Sequence, residues 1–465
     1  MRSLLIVFYC LVSALTIKAN GQDRLWKIQT TDYHGTYYGA TVANGGIGIL
    51  PWKEPFSIRH VMLNHVFDSA TPQDVSRVLR GINPFNLQMQ INGQTVNGDN
   101  ISGWEQCIDM KEATHNTHFT CDGKADVSYS ICALRNLPYA GLVRVEVTAL
   151  GDMYLTVSNP IEVPDEYKNI GSKLVNVNVN GNDIKIVRTW ALSKHREQKV
   201  SASSAFIYDK NSNVQQQYNG NGQISIPLKK GEKFFFTLLG AVCTGRDFID
   251  PYNEADREVI YGAKEGLARL MDGHQKLWDE MWKGDIVIEG DDEAQRAVRF
   301  ALYNLYSNAR KGSRLSIPPF GLSSQGYNGH IFWDTEFWMY PPMLFMNQGI
   351  ARTMMDYRTD RLEAACQKAL SYGYDGAMFP WESDDAGEEA CPTWALTGPF
   401  EHHITADIAI AAWNYYCMSG DQRWLREEGF PLMEKVAEFW VSRVEKNDDG
   451  SYSIRNVVCA DEYAE

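Results

Sequence analysis

Near residue 250 the hydrophobic pattern changes period, and this change constrains the fold more than any other feature of the 465-residue chain. Before it, short runs alternate apolar and polar side chains between Gly, Asn and Asp turns, as in 142–147 and 233–238. Asn92-Gly93, Asn97-Gly98, Asn180-Gly181 and Asn219-Gly220 are turn signals of the hairpin kind. So many strands in one stretch predict a large antiparallel β-sandwich over residues 22–252. Beyond it, Val259, Ile260, Ala263, Leu267, Leu270, Met271, Leu277 and Met281 recur at helical spacing and predict a helical linker over 253–284.

Ile286-Val287-Ile288 reads as a brief strand, after which helices dominate. Ala294, Ala297, Val298, Ala301, Leu302 and Leu305 predict one apolar face, with Asp291 or Asp292 as its cap. A second helix carries Ile404, Ile408, Ala411, Ala412 and Tyr415 and stops at Gly420. A third carries Leu432, Met433, Val436, Phe439, Trp440 and Val444 and ends at Asn447-Asp448-Asp449-Gly450. One-sided helices joined by short loops predict an α/α toroid or bundle over 285–465.

The net charge of −14 leaves no basic stripe to neutralise phosphates, which argues against a nucleic-acid partner. At the N-terminus, Arg2 precedes an apolar run from Leu4 to Ile17, followed by Ala19-Asn20-Gly21. That pattern predicts a secretory signal over 1–21 and a secreted or periplasmic protein without a membrane span. Cys10 lies in this leader, and the other eight cysteines form no Cys-x-x-Cys pair and no metal-ligand spacing with histidine. No metal site is expected. Cys107, Cys121 and Cys132 are close enough in sequence for a disulfide in an oxidising compartment.

Four stretches carry the chemistry. In Gly329-His330-Ile331-Phe332-Trp333-Asp334-Thr335-Glu336, two carboxylates sit among aromatic rings. Placing a carboxylate against apolar walls costs several kcal/mol unless it is paired. A sugar reconciles the two residue types, since its C–H faces stack on rings and its hydroxyls donate to carboxylates. Asp334 reads equally as a helix N-cap. Ala377-Met378-Phe379-Pro380-Trp381-Glu382-Ser383 again sets a ring beside an acid, and Asp384, Asp385, Glu388 and Glu389 behind it read as a solvated loop. Glu401-His402-His403 reads as a polar helix start at a cleft rim, because adjacent histidines cannot face one ion from a helix. Asp461-Glu462-Tyr463 follows the apolar Val457-Val458-Cys459.

In this order, Gly-His-Ile-Phe-Trp-Asp-Thr-Glu, Ala-Met-Phe-Pro-Trp-Glu-Ser, His-Ile-Thr-Ala-Asp-Ile-Ala and Asp-Glu-Tyr resemble glycoside hydrolase family 65. That family comprises maltose, kojibiose and trehalose phosphorylases, acid trehalases and related α-glucosidases. The resemblance implies a β super-sandwich, a helical linker and part of an (α/α)6 barrel. It implies Glu462 as the general acid, with a raised pKa aided by its apolar approach. It also implies Trp333, Asp334, Trp381 and Glu382 as substrate-binding residues, the first two in the −1 subsite. Where the phosphorylases commonly have Gly-Pro before the acid motif and His or Asn after it, this chain has Cys459-Ala460 and Ala464. About five barrel helices precede Glu465 where the family has twelve, so the resemblance implies a C-terminally truncated chain, with the catalytic base or phosphate site downstream.

The implied activity is inverting hydrolysis of an α-linked glucose disaccharide such as kojibiose or trehalose, with no cofactor. An inverting phosphorylase, with inorganic phosphate as co-substrate, and a non-catalytic carbohydrate-binding protein are the alternatives. The leader favours hydrolysis, because an exported phosphorylase would release its sugar phosphate outside the cell. The expected partner is a small α-glucoside, and the oligomeric state stays open, a homodimer included.

Overall fold

A computed structural model describes residues 23–69, 75–179, 182–209, 211–460 and 462. The leader over 1–21, Asn180-Gly181, Asp461 and 463–465 lie outside the described residues. Up to residue 244 the chain is antiparallel β throughout. The largest sheet has nine strands, in the order Lys27–Thr30, Ile101–Asp109, Thr114–Cys121, Ala125–Ala133, Ala140–Ala149, Lys233–Thr244, Lys199–Tyr208, Asn182–Ser193 and Tyr167–Val179. Sheets of five and four strands accompany it. Alternation sets the inward face: in Ala125–Ala133, Val127, Tyr129 and Ile131 are buried between partly exposed Asp126, Ser128 and Ser130.

Asn92-Gly93 turns a tight hairpin between Gln88–Ile91 and Gln94–Thr95, and Asn219-Gly220 joins Gln215–Tyr218 to Gly222–Leu228. Asn97-Gly98 instead lies in a loop between strands of different sheets, where Asn97 N–H donates to the Asn100 side chain. The cysteines at 107, 121 and 132 form no disulfide.

The linker is two helices, Pro251–Glu265 and Leu267–Met281. Gly266 breaks them with φ of 82°, a conformation that side chains with a Cβ resist. Asp250 caps the first by accepting from Asn253 N–H, and Pro251 occupies its first turn. Val259 and Leu270 then pack on Ala205 and Leu239 of the large sheet. Gly262 permits the close approach, because a Cβ there would sit 2.7 Å from Leu239 Cδ2. Asp256 pins the helix by accepting from Arg188 and, at 2.7 Å, from Ser203 Oγ.

Residues 286–288 are not a strand. The side-chain amide of Gln295 takes the place of a neighbouring strand, accepting from Ile288 N–H at 2.6 Å and donating to Ile286 C=O at 2.9 Å. This buries Gln295 and turns the helix Asp292–Asn308 away from the face its alanines predict. Ala297 and Ala301 are exposed, while Arg299, Tyr303 and Tyr306 are buried beside Leu302. Asp285 holds Arg299, and the Tyr303 hydroxyl donates to Thr41 C=O of the β region. Asp291 is the cap, as predicted.

The helix His403–Ser419 forms where its pattern places it, closed by Gly420 in the left-handed conformation. Phe430–Arg443 stops short of the predicted end, because Val444 is extended and Glu445–Lys446 pairs with Tyr452–Ser453 around the Asn447-Asp448-Asp449-Gly450 turn. No helix among the described residues is long and apolar enough to cross a membrane.

Candidate functional site

Glu336 and Asp334, two residues apart, have opposite environments. Glu336 is 4% exposed and bound at both oxygens by Arg358, at 2.8 and 2.9 Å. Arg358 also donates to Phe332 C=O. Glu336 is therefore a structural ion pair that anchors the segment. Asp334 is half-buried and makes no capping bond to the turn that follows. Beyond its own N–H, no described residue gives it a hydrogen bond or ion pair, and burial raises its pKa. The cap reading fails for a backbone reason. Asp334 already has helical φ/ψ of −49° and −35°, and the Phe337 N–H that a cap would bind goes to Trp333 C=O at 3.0 Å, ahead of a π-turn over Thr335–Met339.

Trp381 and Glu382 are held by an acid that the sequence placed in solvent. Glu389 accepts from Trp381 N–H at 2.8 Å, Glu382 N–H at 3.0 Å and Cys391 N–H at 3.2 Å, and pairs with Lys368 at 2.5 Å. Asp384 accepts from Ser76 Oγ at 2.8 Å, and Arg196 reaches both Asp384 and Asp385. The loop is a set of anchors, and of its acids Glu388 alone stays exposed. Glu382 itself is 7% exposed and lies 2.7 Å from His330 Nδ1. Burial raises its pKa, and the hydrogen bond to His330 opposes that rise.

His403 joins the two indoles. Its ring meets Trp333 edge-on at 4.8 Å and Trp381 at 5.5 Å, and the indoles are 6.5 Å apart. Its nitrogens contact Asp407 at 2.7 Å and Glu401 at 3.0 Å. Burial disfavours its charge, but the two carboxylates outweigh burial and lift its pKa to about 9. His402, next in the chain, accepts from Arg443 Nε and bonds Pro399 C=O. Burial takes its pKa down to about 4. Adjacent histidines thus hold opposite charge states at neutral pH. Sequence reasoning passed over His403; the signal it carried was Asp407 one helical turn downstream.

Glu401 is completely buried, and among the described residues its Oε2 has no hydrogen-bond partner. Its pKa is raised by burial, with His403 opposing and Glu462 adding to the rise. Val458 N–H donates to Phe400 C=O, and Val458 pairs in parallel with Glu401. This short pairing brings Glu462 within electrostatic reach of the Glu401–His403 pair. Only Val458 of the apolar approach is buried, and Glu462 is exposed in a turn. Of the apolar approach expected beside Glu462, Cys459 is exposed, as is Ala460 after it. Among the described residues no cluster of three metal-ligating side chains occurs.

A β-sandwich followed by helices, with paired indoles and acids on the loops of the helical part, matches known folds. A solved structure named for a kojibiose phosphorylase from the human microbiome superposes with a TM-score of 0.79 at 16% identity, over 95% of this chain and 62% of that one. Residues 39–281 match the N-terminal domain of glycosyl hydrolase family 65, and residues 299–465 match its central catalytic domain. The chain belongs to glycosyl hydrolase family 65. A kojibiose hydrolase of Flavobacterium johnsoniae is 43% identical over 92% of this chain, which spans 64% of that protein's length. A kojibiose hydrolase of Mucilaginibacter mallensis is 38% identical over 98% of this chain, which spans 68% of its length.

Proposed function

We propose that this protein is an inverting glycoside hydrolase of α-linked glucose disaccharides of the kojibiose or trehalose kind. The observation that carries the reading is the grouping of Trp333 and Trp381 about the His403 ring, with Asp334 next to Trp333 and, beyond its own N–H, without a hydrogen-bond partner among the described residues. The indoles offer faces to a glucosyl ring, and Asp334 accepts its hydroxyl protons. Glu382 contributes a second acceptor, fixed in place before substrate arrives. Glu462 donates the proton to the glycosidic oxygen while water attacks from the opposite face. The exposure of Glu462 is compatible with this role, because bound sugar would itself exclude water from the acid.

The near-complete alignment with two kojibiose hydrolases supports hydrolysis. The leader-like residues 1–21 support export, where free glucose is a usable product and a sugar phosphate is not. The test is product analysis on kojibiose and trehalose, with and without phosphate. Phosphate-independent glucose release with inversion at the anomeric carbon is expected. A strict phosphate requirement with glucose 1-phosphate as product would replace the reading with a phosphorylase. Sugar binding without turnover, unchanged in E462Q, would leave a carbohydrate-binding protein.

A further inference from the structure

Glu382 is connected to the β-sandwich by a buried chain of hydrogen bonds. His330 has no exposed surface; its Nδ1 lies 2.7 Å from Glu382 Oε2 and its Nε2 lies 2.8 Å from the backbone oxygen of Ser76. Ser76 opens the strand Ser76–Gly81, and its hydroxyl donates to Asp384 Oδ2, which Arg196 also approaches at 3.3 Å. Phe67, from the neighbouring strand, stacks on the imidazole with centroids 5.6 Å apart and planes at 20°. A paired bridge between Ile331 and Ser383 locks the two loops together. Five residues from five chain segments thus serve one carboxylate.

The Ser76 carbonyl can only accept, so His330 Nε2 carries a proton. The contact at Nδ1 then requires one more proton, shared with Glu382: an imidazolium beside a carboxylate, or an imidazole beside a carboxyl. We infer that His330 is a positioning residue for the sugar-binding Glu382, and that the β-sandwich sets its tautomer through Ser76. The N-terminal region is thereby part of the substrate site, acting through a side chain it orients. This inference rests on the proposed sugar-binding role of Glu382.

Two substitutions separate the imidazole's two functions. In H330Q the amide can still reach the Ser76 carbonyl but not Glu382; in H330N it can reach Glu382 but not Ser76. With kojibiose or trehalose, H330Q should raise KM about 10- to 100-fold, the cost of one lost hydrogen bond to a charged group, with a smaller change in kcat. H330N should lose less. Equal losses in the two variants, or a greater loss in H330N, would overturn the inference. Histidine-selective 15N NMR of the wild-type protein supplies a readout independent of turnover. The His330 signals, identified by their absence in H330Q, should show a protonated Nε2, and the Nδ1 signal should shift in E382Q. A bare Nε2, or an Nδ1 indifferent to E382Q, would also overturn it. If the wild-type protein neither cleaves nor binds either disaccharide, the functional reading fails on its own, and the NMR result still decides whether His330 holds Glu382.

Discussion

Trp333-Asp334 and Trp381-Glu382 repeat one sequence pattern, an indole followed by an acid, yet the fold gives the two acids different surroundings. Glu382 is braced from both sides, by His330 at its carboxylate and by Glu389 at its backbone. Asp334 has no such brace among the described residues, and its neighbour Glu336 takes the Arg358 guanidinium. The difference shows how a site is built from costly parts. The ion pair and the anchored loop hold the framework rigid, and in the proposed reading Asp334 is the acceptor kept for ligand.

The largest expected effect lies outside this pair. Glu462→Gln removes the proposed proton donor and should lower kcat about 10²- to 10⁴-fold. Quenching of tryptophan fluorescence by disaccharide should persist, and an unchanged kcat would disqualify Glu462. Next is Glu336→Gln, which leaves Arg358 buried without its counter-charge. It should cost about 3–5 kcal/mol in denaturant unfolding, and a loss below about 1 kcal/mol would show that the ion pair is not structural.

Asp334→Asn should do the reverse. Sugar affinity should fall about 10- to 100-fold, while Tm holds or rises. Burial raises the Asp334 pKa, so its ionised form works against folding at neutral pH, and the amide relieves that. A drop in Tm without loss of affinity would place Asp334 with Glu336 as a structural acid.

A smaller effect concerns His403, whose folded pKa of about 9 exceeds its ordinary value of 6.5. A raised folded pKa means that its contribution to stability is complete below about pH 6.5 and is lost as pH rises through 9. Thermal unfolding of wild type and His403→Gln, compared across that window, should show the wild-type advantage shrinking with pH. A constant difference would mean that Glu401 and Asp407 do not hold an imidazolium. The smallest effect is that of a reductant. With no disulfide among Cys107, Cys121 and Cys132, dithiothreitol should leave Tm unchanged.

Much of the architecture was legible because it depends on neighbours in sequence. Alternation in 142–147 and 233–238, the cap at Asp291, the stop at Gly420 and the helix of Ile404, Ile408 and Ala412 are local physics, and each is found where the pattern put it. The failures occurred where a distant side chain intervened. Gln295 displaced a strand, and Glu389 left solvent to bind three backbone N–H groups. His403 was missed because its partners arrive from both ends of a helix start and from two separate tryptophan loops.

The sequence by itself determined the two-part plan, the resemblance to family 65 and the residue types of the site, since periodicity, caps and motif order are written along the chain. Tertiary structure alone decided which acids are tied and which is left for a ligand. The charge state and availability of a carboxylate depend on the burial and countercharge around it, and Arg358, His330 and Lys368 reach their acids only once segments distant in sequence have packed together.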